Sequence, residues 1–239
     1  MSKGVLDQKY AIERLNKPEL IFRYKTRAKF VCNTIEKHLE KKSGLQILDF
    51  GAAEGLTIRE MDQILPGNTI LGLEYTDDLI QKAPELPDNV KLIQGDVTRL
   101  DNELTNGQYD AISALALLEH LKEPEKALME AKKALKPGGI FIATSPNPLW
   151  DDISTKLGLL RDEQHEVEIN EKFMKDITEK TGFEWVQFKR FMWAPVSFLP
   201  YLNIGVSPVF SLDVDNFIEN IKVFNWLFVN QAFILRKPQ

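Results

Sequence analysis

Cysteine is nearly absent: Cys32 is the only one in 239 residues. No internal disulfide can form, which points to a reducing, cytoplasmic compartment. Cys32 falls on the apolar stripe of a helical segment and reads as core packing. Histidine is also scarce. His38, His120 and His165 are the full set, so imidazole chemistry has few places to occur. Positive charge is in the minority, 30 Lys and Arg against 35 Asp and Glu, for a net charge of -5. A chain of that sign is not expected to bind nucleic acid. The opening stretch "MSKGVLDQKYAIERLN" lacks the apolar run of a secretory signal. No unbroken apolar run suits a membrane span. Residues 191–212, "FMWAPVSFLPYLNIGVSPVFSL", carry no charge, but Pro195, Pro200, Gly205 and Pro208 interrupt them. Peripheral membrane contact is left open. With no repeat, low-complexity tract or linker, residues 1–239 read as one domain.

What is present is an alternation of strands and helices. Leu20, Tyr24, Ala28, Val31, Ile35 and Leu39 recur every three or four residues, which predicts a helix from about Glu19 to Lys41. Residues 1–45 form an N-terminal helical extension. His38 lies on that helix amid charges and reads as a surface residue. "QILDF", "TILGLE", "VKLIQ", "YDAISAL" and "IFIAT" are predicted strands. Helices are expected from Leu56 to Leu65, after a cap at Thr76 or Asp77, after Pro124, and from a cap at Asn170 to Gly182. Pro137-Gly138-Gly139 is expected to close the third of these. "EWVQFKRF" and "NQAFILRK" alternate like edge strands, with no ordinary crossover helix expected between them. The fold class is therefore α/β, a doubly wound and mostly parallel sheet of seven strands.

The sharpest local feature is "ILDFGAAEG", where a strand runs into a loop of small residues. In open parallel sheets, ligands bind beyond the carboxyl ends of the strands. Small residues there admit a ligand to the backbone and to the next helix's amides. Glu74 ends the second strand, 19 residues after Gly55. A carboxylate at that place suits two ribose hydroxyls. Asp96 follows the third strand, where a carboxylate accepts from an exocyclic amine. Tyr75 and Val97 flank the ring. Together these describe an adenosine site. The loop lacks the full Gly-x-Gly-x-x-Gly spacing of a dinucleotide fold, which disfavours a nucleotide-binding oxidoreductase.

These motifs, with "LGLEYT", "IQGDV", "YDAISALALLEHL" and "ALKPGGIFIATSPN", resemble those of the class I S-adenosylmethionine-dependent methyltransferases. Within that family the chain is most similar to the ubiquinone-biosynthesis O-methyltransferases. The resemblance covers residues 46–144 and extends to the last strand. It implies S-adenosyl-L-methionine as cofactor and a Rossmann-like sheet in the order 3-2-1-4-5-7-6, with strand 7 antiparallel. It places Asp49, Gly51 and Gly55 at the methionine moiety, with Phe50 and Ala53 in the same loop. Glu74 takes the ribose, Asp96 the adenine amine, and Ala114 and Leu115 back the cofactor. The family more often has glycine at Ala53; alanine is accommodated if the backbone there is not left-handed. Glu54 is expected to be an exposed spacer.

The implied reaction is methyl transfer to a small-molecule or lipid-like acceptor, at oxygen. His120 and Glu119 follow the fourth strand. His165 lies in the segment after the fifth, within residues 145–239, the expected acceptor side. These three are the catalytic candidates. Their spacing is not diagnostic of a metal, and none is expected. No Asn-Pro-Pro-Tyr type motif follows the fourth strand, which disfavours methylation of a base amine. Met192, Trp193, Phe198, Tyr201 and Phe210 are candidates to wall an apolar acceptor pocket, bury a dimer interface or pack as core. A monomer or homodimer is expected. The alternative is a non-catalytic subunit that binds cofactor to stay folded.

Overall fold

The computed structural model describes residues 8–150 and 165–239. The chain opens with two helices rather than one, α1 (Gln8–Asn16) and α2 (Pro18–His38). Pro18 explains the break. It lacks an N–H and restricts Lys17 to extended backbone, so it starts a helix rather than continuing one. There follow β1 (Gln46–Phe50), α3 (Leu56–Ile64), β2 (Thr69–Glu74), α4 (Asp77–Ile80), β3 (Val90–Gln94) and β4 (Tyr109–Leu115). Next come α5 (Pro124–Ala134), β5 (Leu135–Pro146), α6 (Glu171–Thr181) and β6 (Glu184–Trp193). The short α7 (Ala194–Ser197), α8 (Pro208–Ile218) and β7 (Phe228–Arg236) complete the order.

The seven strands form one sheet in the order β3-β2-β1-β4-β5-β7-β6. β7 runs antiparallel to both neighbours and the other pairings are parallel. Two expectations need correction. Pro137-Gly138-Gly139 does not close α5. The helix stops at Ala134 and β5 runs through all three residues. The last two strands are joined through α8, an ordinary helix of 11 residues. Its first turn begins at Pro208, and Ser207 caps it by accepting from the Phe210 amide. Helix α6 behaves as expected: Asn170 accepts from the Phe173 amide at 2.9 Å, and Gly182 ends the helix at φ +67°.

Each face of the sheet carries its own core. On one face α2, α3 and α8 supply Ala28, Val31, Ile35, Ile58, Met61 and Leu212. On the other, α5 and α6 supply Ala127, Leu128, Ala131, Met174 and Ile177. Cys32 packs in the first core, fully buried, and its thiol is pushed up to about 12 by burial. The strands show the period of two that this layering demands. In β1, Ile47 joins the first core while Leu48 and Phe50 join the second. That parity decides which strand residues can reach a ligand on the α2–α3 side. His38 is half-buried rather than on the surface, beside Gln187. No helix among the described residues is long and apolar enough to cross a membrane.

Candidate active site

The loop Gly51–Gly55 makes three left-handed turns in five residues, at Gly51 (φ +69°), Ala53 (φ +50°) and Gly55 (φ +83°). Gly51 needs its missing side chain twice over. A Cβ there would be strained at that φ and would meet Leu117 Cδ1 at 2.8 Å. Ala53 contradicts the expectation of a backbone that is not left-handed. It holds the conformation because its amide donates to Glu74 Oε2 at 2.9 Å, and the amides of Gly51 and Ala52 both donate to the Leu73 carbonyl. The loop is thus stitched to the end of β2.

Glu54 also departs from expectation. It is buried at 1% exposure. Arg14 of α1 reaches it with Nε 3.2 Å from Oε1 and Nη1 donating to Oε2 at 3.3 Å. The same guanidinium donates to Thr57 Oγ1 and lies over the Tyr24 ring. Burial raises the Glu54 carboxyl, and Arg14 opposes that shift. Nothing local signals this pair, since its members are 40 residues apart.

These elements surround a cavity of about 400 Å³ at the carboxyl end of the sheet. Asp49, Gly51, Ala53, Glu74, Tyr75, Asp96, Val97 and Leu115 all line it. Phe50, Gly55 and Ala114 do not. Phe50 and Ala114 are fully buried in the α5–α6 core. Asp49 and Leu115, their neighbours in the chain, take the other face, as a strand requires. Gly55 serves instead as the N-cap residue of α3.

Asp49 accepts from the Ser113 hydroxyl at 2.5 Å, and burial pushes its carboxyl up to about 7. Glu74 accepts from the amides of Ala53 and Thr76, each at 2.9 Å. Asp96 is exposed at the rim and accepts from both the amide and the hydroxyl of Thr98. A buried carboxylate held near neutrality gains from a cationic ligand. Carboxylates with remaining lone pairs at the β2 and β3 ends suit hydroxyl and amine donors. The donor set therefore fits a cationic adenosine derivative.

Beyond β4 the catalytic candidates converge. A 3-10 turn over Leu118–His120 carries Glu119 and His120. The amides of Glu166 and Val167 donate to the Glu119 carbonyl, at 2.8 and 3.2 Å, and bring His165 alongside. The two imidazole rings sit 5.1 Å apart, edge to face. Each of Glu119, His120 and His165 offers a ligand atom, and these atoms all lie within 4.8 Å of one another. The trio therefore has the donor set for a divalent cation, a convergence invisible in sequence spacing. His120 lines the main cavity, while Glu119 and His165 line a smaller pocket next to it. Pro146 borders both.

None of the five aromatic and methionine residues proposed as an acceptor wall lines either cavity. Met192 is core, at φ +62°. Phe198 packs tilted between Trp150 and Tyr201, and Trp193 meets Phe224 edge to face. Phe210 is 55% exposed. Residues 151–164, part of the expected acceptor side, lie outside the described residues. Sequence reasoning also missed Leu20, Arg23, Tyr24 and Arg27, which α2 presents to the cavity on one face. Leu20 and Tyr24 read as part of the helical core stripe, and Arg23 and Arg27, one residue before Tyr24 and Ala28 of that stripe, were not singled out.

A family model described as "Methyltransferase domain" (Methyltransf_23) matches residues 23–187. The chain belongs to the methyltransferase-domain family. Among curated relatives, it is 27% identical over 154 residues to a mitochondrial ubiquinone biosynthesis O-methyltransferase of Dictyostelium discoideum, covering 55% of this chain and 48% of that one. A trans-aconitate 2-methyltransferase of Deinococcus radiodurans is 24% identical over 131 residues, covering 54% and 48%. The chain spans less than half the length of these curated relatives. The fold is that of class I S-adenosylmethionine-dependent methyltransferases. A SAM-dependent methyltransferase from Archaeoglobus fulgidus superposes with a TM-score of 0.63 at 18% identity, over 97% of this chain and all of that one. A Haemonchus contortus phosphoethanolamine N-methyltransferase 2, solved with S-adenosyl-L-methionine, gives 0.60 at 16% identity, over all of this chain and 62% of that one.

Proposed function

We propose that this methyltransferase domain transfers a methyl group from S-adenosyl-L-methionine to a hydroxyl oxygen of a small-molecule acceptor. The carrying observation is the placement of Asp49, Glu74 and Asp96 at three successive strand ends around one cavity, with His120 across from them. The cofactor supplies a methyl on a sulfonium, already activated toward nucleophiles. The chain's part is positioning, desolvation and proton removal. Glu74 holds the ribose hydroxyls, with its own geometry fixed by the Ala53 and Thr76 amides. Asp96 takes the adenine amine, and Tyr75 and Val97 border the ring. Asp49 supplies negative charge beneath the cationic end. Its burial makes that charge costly without a cation.

His120 is the general base. It lines the cavity beyond β4, and the contact with His165 sets its ring orientation. Glu119 is buried behind it and favours the imidazolium that proton removal creates. An oxygen acceptor accords with the O-methyltransferase among the relatives. Action on a soluble acceptor in the cytoplasm, as monomer or homodimer, belongs to the same reading.

The test is product analysis. Wild type and His120→Ala are incubated with methyl-labelled S-adenosylmethionine and a small-molecule extract, and labelled products are located by mass spectrometry and NMR. A methoxy product that disappears with His120→Ala is expected. Label found only on nitrogen, or no labelled product, would count against oxygen transfer.

A further inference from the structure

Glu119, His120 and His165 each present one ligand atom, and these atoms lie within 4.8 Å of one another. A tetrahedral zinc ion holds imidazole nitrogens and a carboxylate oxygen about 2.0–2.2 Å away, hence about 3.4 Å apart. Side-chain shifts of about 1 Å therefore close the trio on an ion. The backbone beneath is fixed. The His120 amide donates to the Leu117 carbonyl at 2.9 Å, closing the 3-10 turn, and Leu118 within that turn is fully buried. The Glu166 and Val167 amides hold the His165 segment to the Glu119 carbonyl. Glu119 is 2% exposed, and a low dielectric strengthens the pull of a carboxylate on a cation. Access is from two sides, since His120 lines the larger cavity and His165 the smaller.

Two imidazoles and one carboxylate select the kind of ion. Magnesium and calcium take six or more ligands, nearly all oxygen, whereas imidazole suits zinc and its neighbours. Three protein ligands leave a fourth position for water. A coordinated imidazole has given its lone pair to the ion and takes no proton. We infer that Glu119, His120 and His165 bind a divalent ion of the zinc class, and that its binding switches off His120 as a base. The ion is thus an inhibitor of the transfer rather than a part of it. The switching half of this inference rests on the methyltransferase reading above; the binding half does not. No thiol competes for the ion, because Cys32 is the chain's one cysteine and is fully buried. His38 stands at the other end of the sheet, where its carbonyl accepts from Arg236 of β7.

A chain with three histidines makes the test direct. Protein freed of metal by a chelator is titrated with zinc, cobalt(II) and magnesium chlorides by calorimetry, and its imidazole signals are followed by NMR. Zinc should bind one to one while magnesium does not. The His120 and His165 signals should shift and cease to respond to pH, and the His38 signal should stay. Bound cobalt should show the intense visible bands of four- or five-coordination. Zinc affinity should fall at least about tenfold in Glu119→Gln and in His165→Gln, since even the outer partners of metal ligands cost that much when lost. Thermal midpoint and S-adenosylhomocysteine affinity, recorded for each variant, separate a lost ligand from a lost fold. The wild-type signals decide the site even where a variant does not fold. Labelled product in the extract assay should fall in step with zinc occupancy. No zinc binding, magnesium binding as tight as zinc, zinc that shifts only His38, affinity unchanged in both variants, or more product with zinc would each overturn the proposal. A wild type that makes no labelled product even without zinc would instead overturn the transfer reading, and the histidine signals would still decide the ion's site.

Discussion

Arg14 and Glu54 form an ion pair across the mouth of the cofactor loop, 3.2 Å from Nε to Oε1, with only 10% and 1% of their side chains exposed. It ties α1 to the loop whose amides shape the site. Removing one partner leaves a buried charge uncompensated. Glu54→Gln or Arg14→Gln should each lower unfolding free energy by about 3 kcal/mol. The double variant Arg14→Met with Glu54→Leu should recover much of the loss. Urea titration of the four proteins tests this, and single losses below about 1 kcal/mol would speak against a tight pair.

Ala53 holds φ +50° with a Cβ. Left-handed backbone costs a non-glycine residue about 1–2 kcal/mol, part of which glycine's greater unfolded-state freedom offsets. Ala53→Gly should therefore stabilise the protein by up to about 1 kcal/mol and leave cofactor affinity unchanged or improved. Ala53→Val should destabilise it. Thermal and chemical denaturation measure both, and a destabilised glycine variant would contradict the strained backbone.

Asp49 titrates at about 7, raised from 3.8 by burial against the opposing Ser113 hydrogen bond. A folded-state value above the unfolded one stabilises the protein below about pH 4 and loses that contribution as pH rises through about 7. Binding a cation has the opposite sign, because it favours the carboxylate. S-adenosylmethionine affinity should rise about tenfold between pH 6 and pH 8, with proton release in that window. Calorimetry in buffers of different ionisation enthalpy reads the released protons. Asp49→Asn should flatten the profile, and a flat wild-type profile would remove Asp49 from beneath the cation.

His120 is placed as the base, so His120→Gln should lower kcat by about a hundredfold or more while S-adenosylhomocysteine affinity holds within about twofold. His165→Gln should show a smaller fall and a shifted pH–rate profile, since its ring positions that of His120. Equal rates in wild type and His120→Gln would place the chemistry on other groups.

The strand count and the places of Glu74 and Asp96 at strand ends are legible because they are local, while the sheet order comes from the family resemblance. A strand ends, a small loop follows, and a carboxylate stands at the next strand's end. The errors arise where non-local packing decides. Phe50 and Ala114 were grouped with Asp49 and Leu115 by motif, yet alternate residues of a strand face opposite ways. Glu54 looked exposed because its partner lies on α1, a helix too short to announce itself. The apolar residues 191–212 leave pocket wall, dimer interface and core open in sequence, and Phe191, Met192 and Leu212 pack as core. Phe191 stacks there on Phe30, Trp193, Phe198 and Tyr201 are half-buried against other aromatic rings, and Phe210 is exposed. The turn over Leu118–His120 meets His165 through backbone bonds to a distant segment and a contact between the two rings, which no spacing encodes.

The most direct measurement is a calorimetric titration of wild type, Glu74→Gln and Glu74→Ala with S-adenosylhomocysteine, with NAD as control. A methyl-transfer cofactor site predicts micromolar binding of the sulfur ligand and none of NAD. It also predicts a loss of about tenfold or more in Glu74→Ala and a smaller one in Glu74→Gln, which keeps one carbonyl acceptor. Binding indifferent to Glu74, or NAD binding in place of S-adenosylhomocysteine, would contradict it.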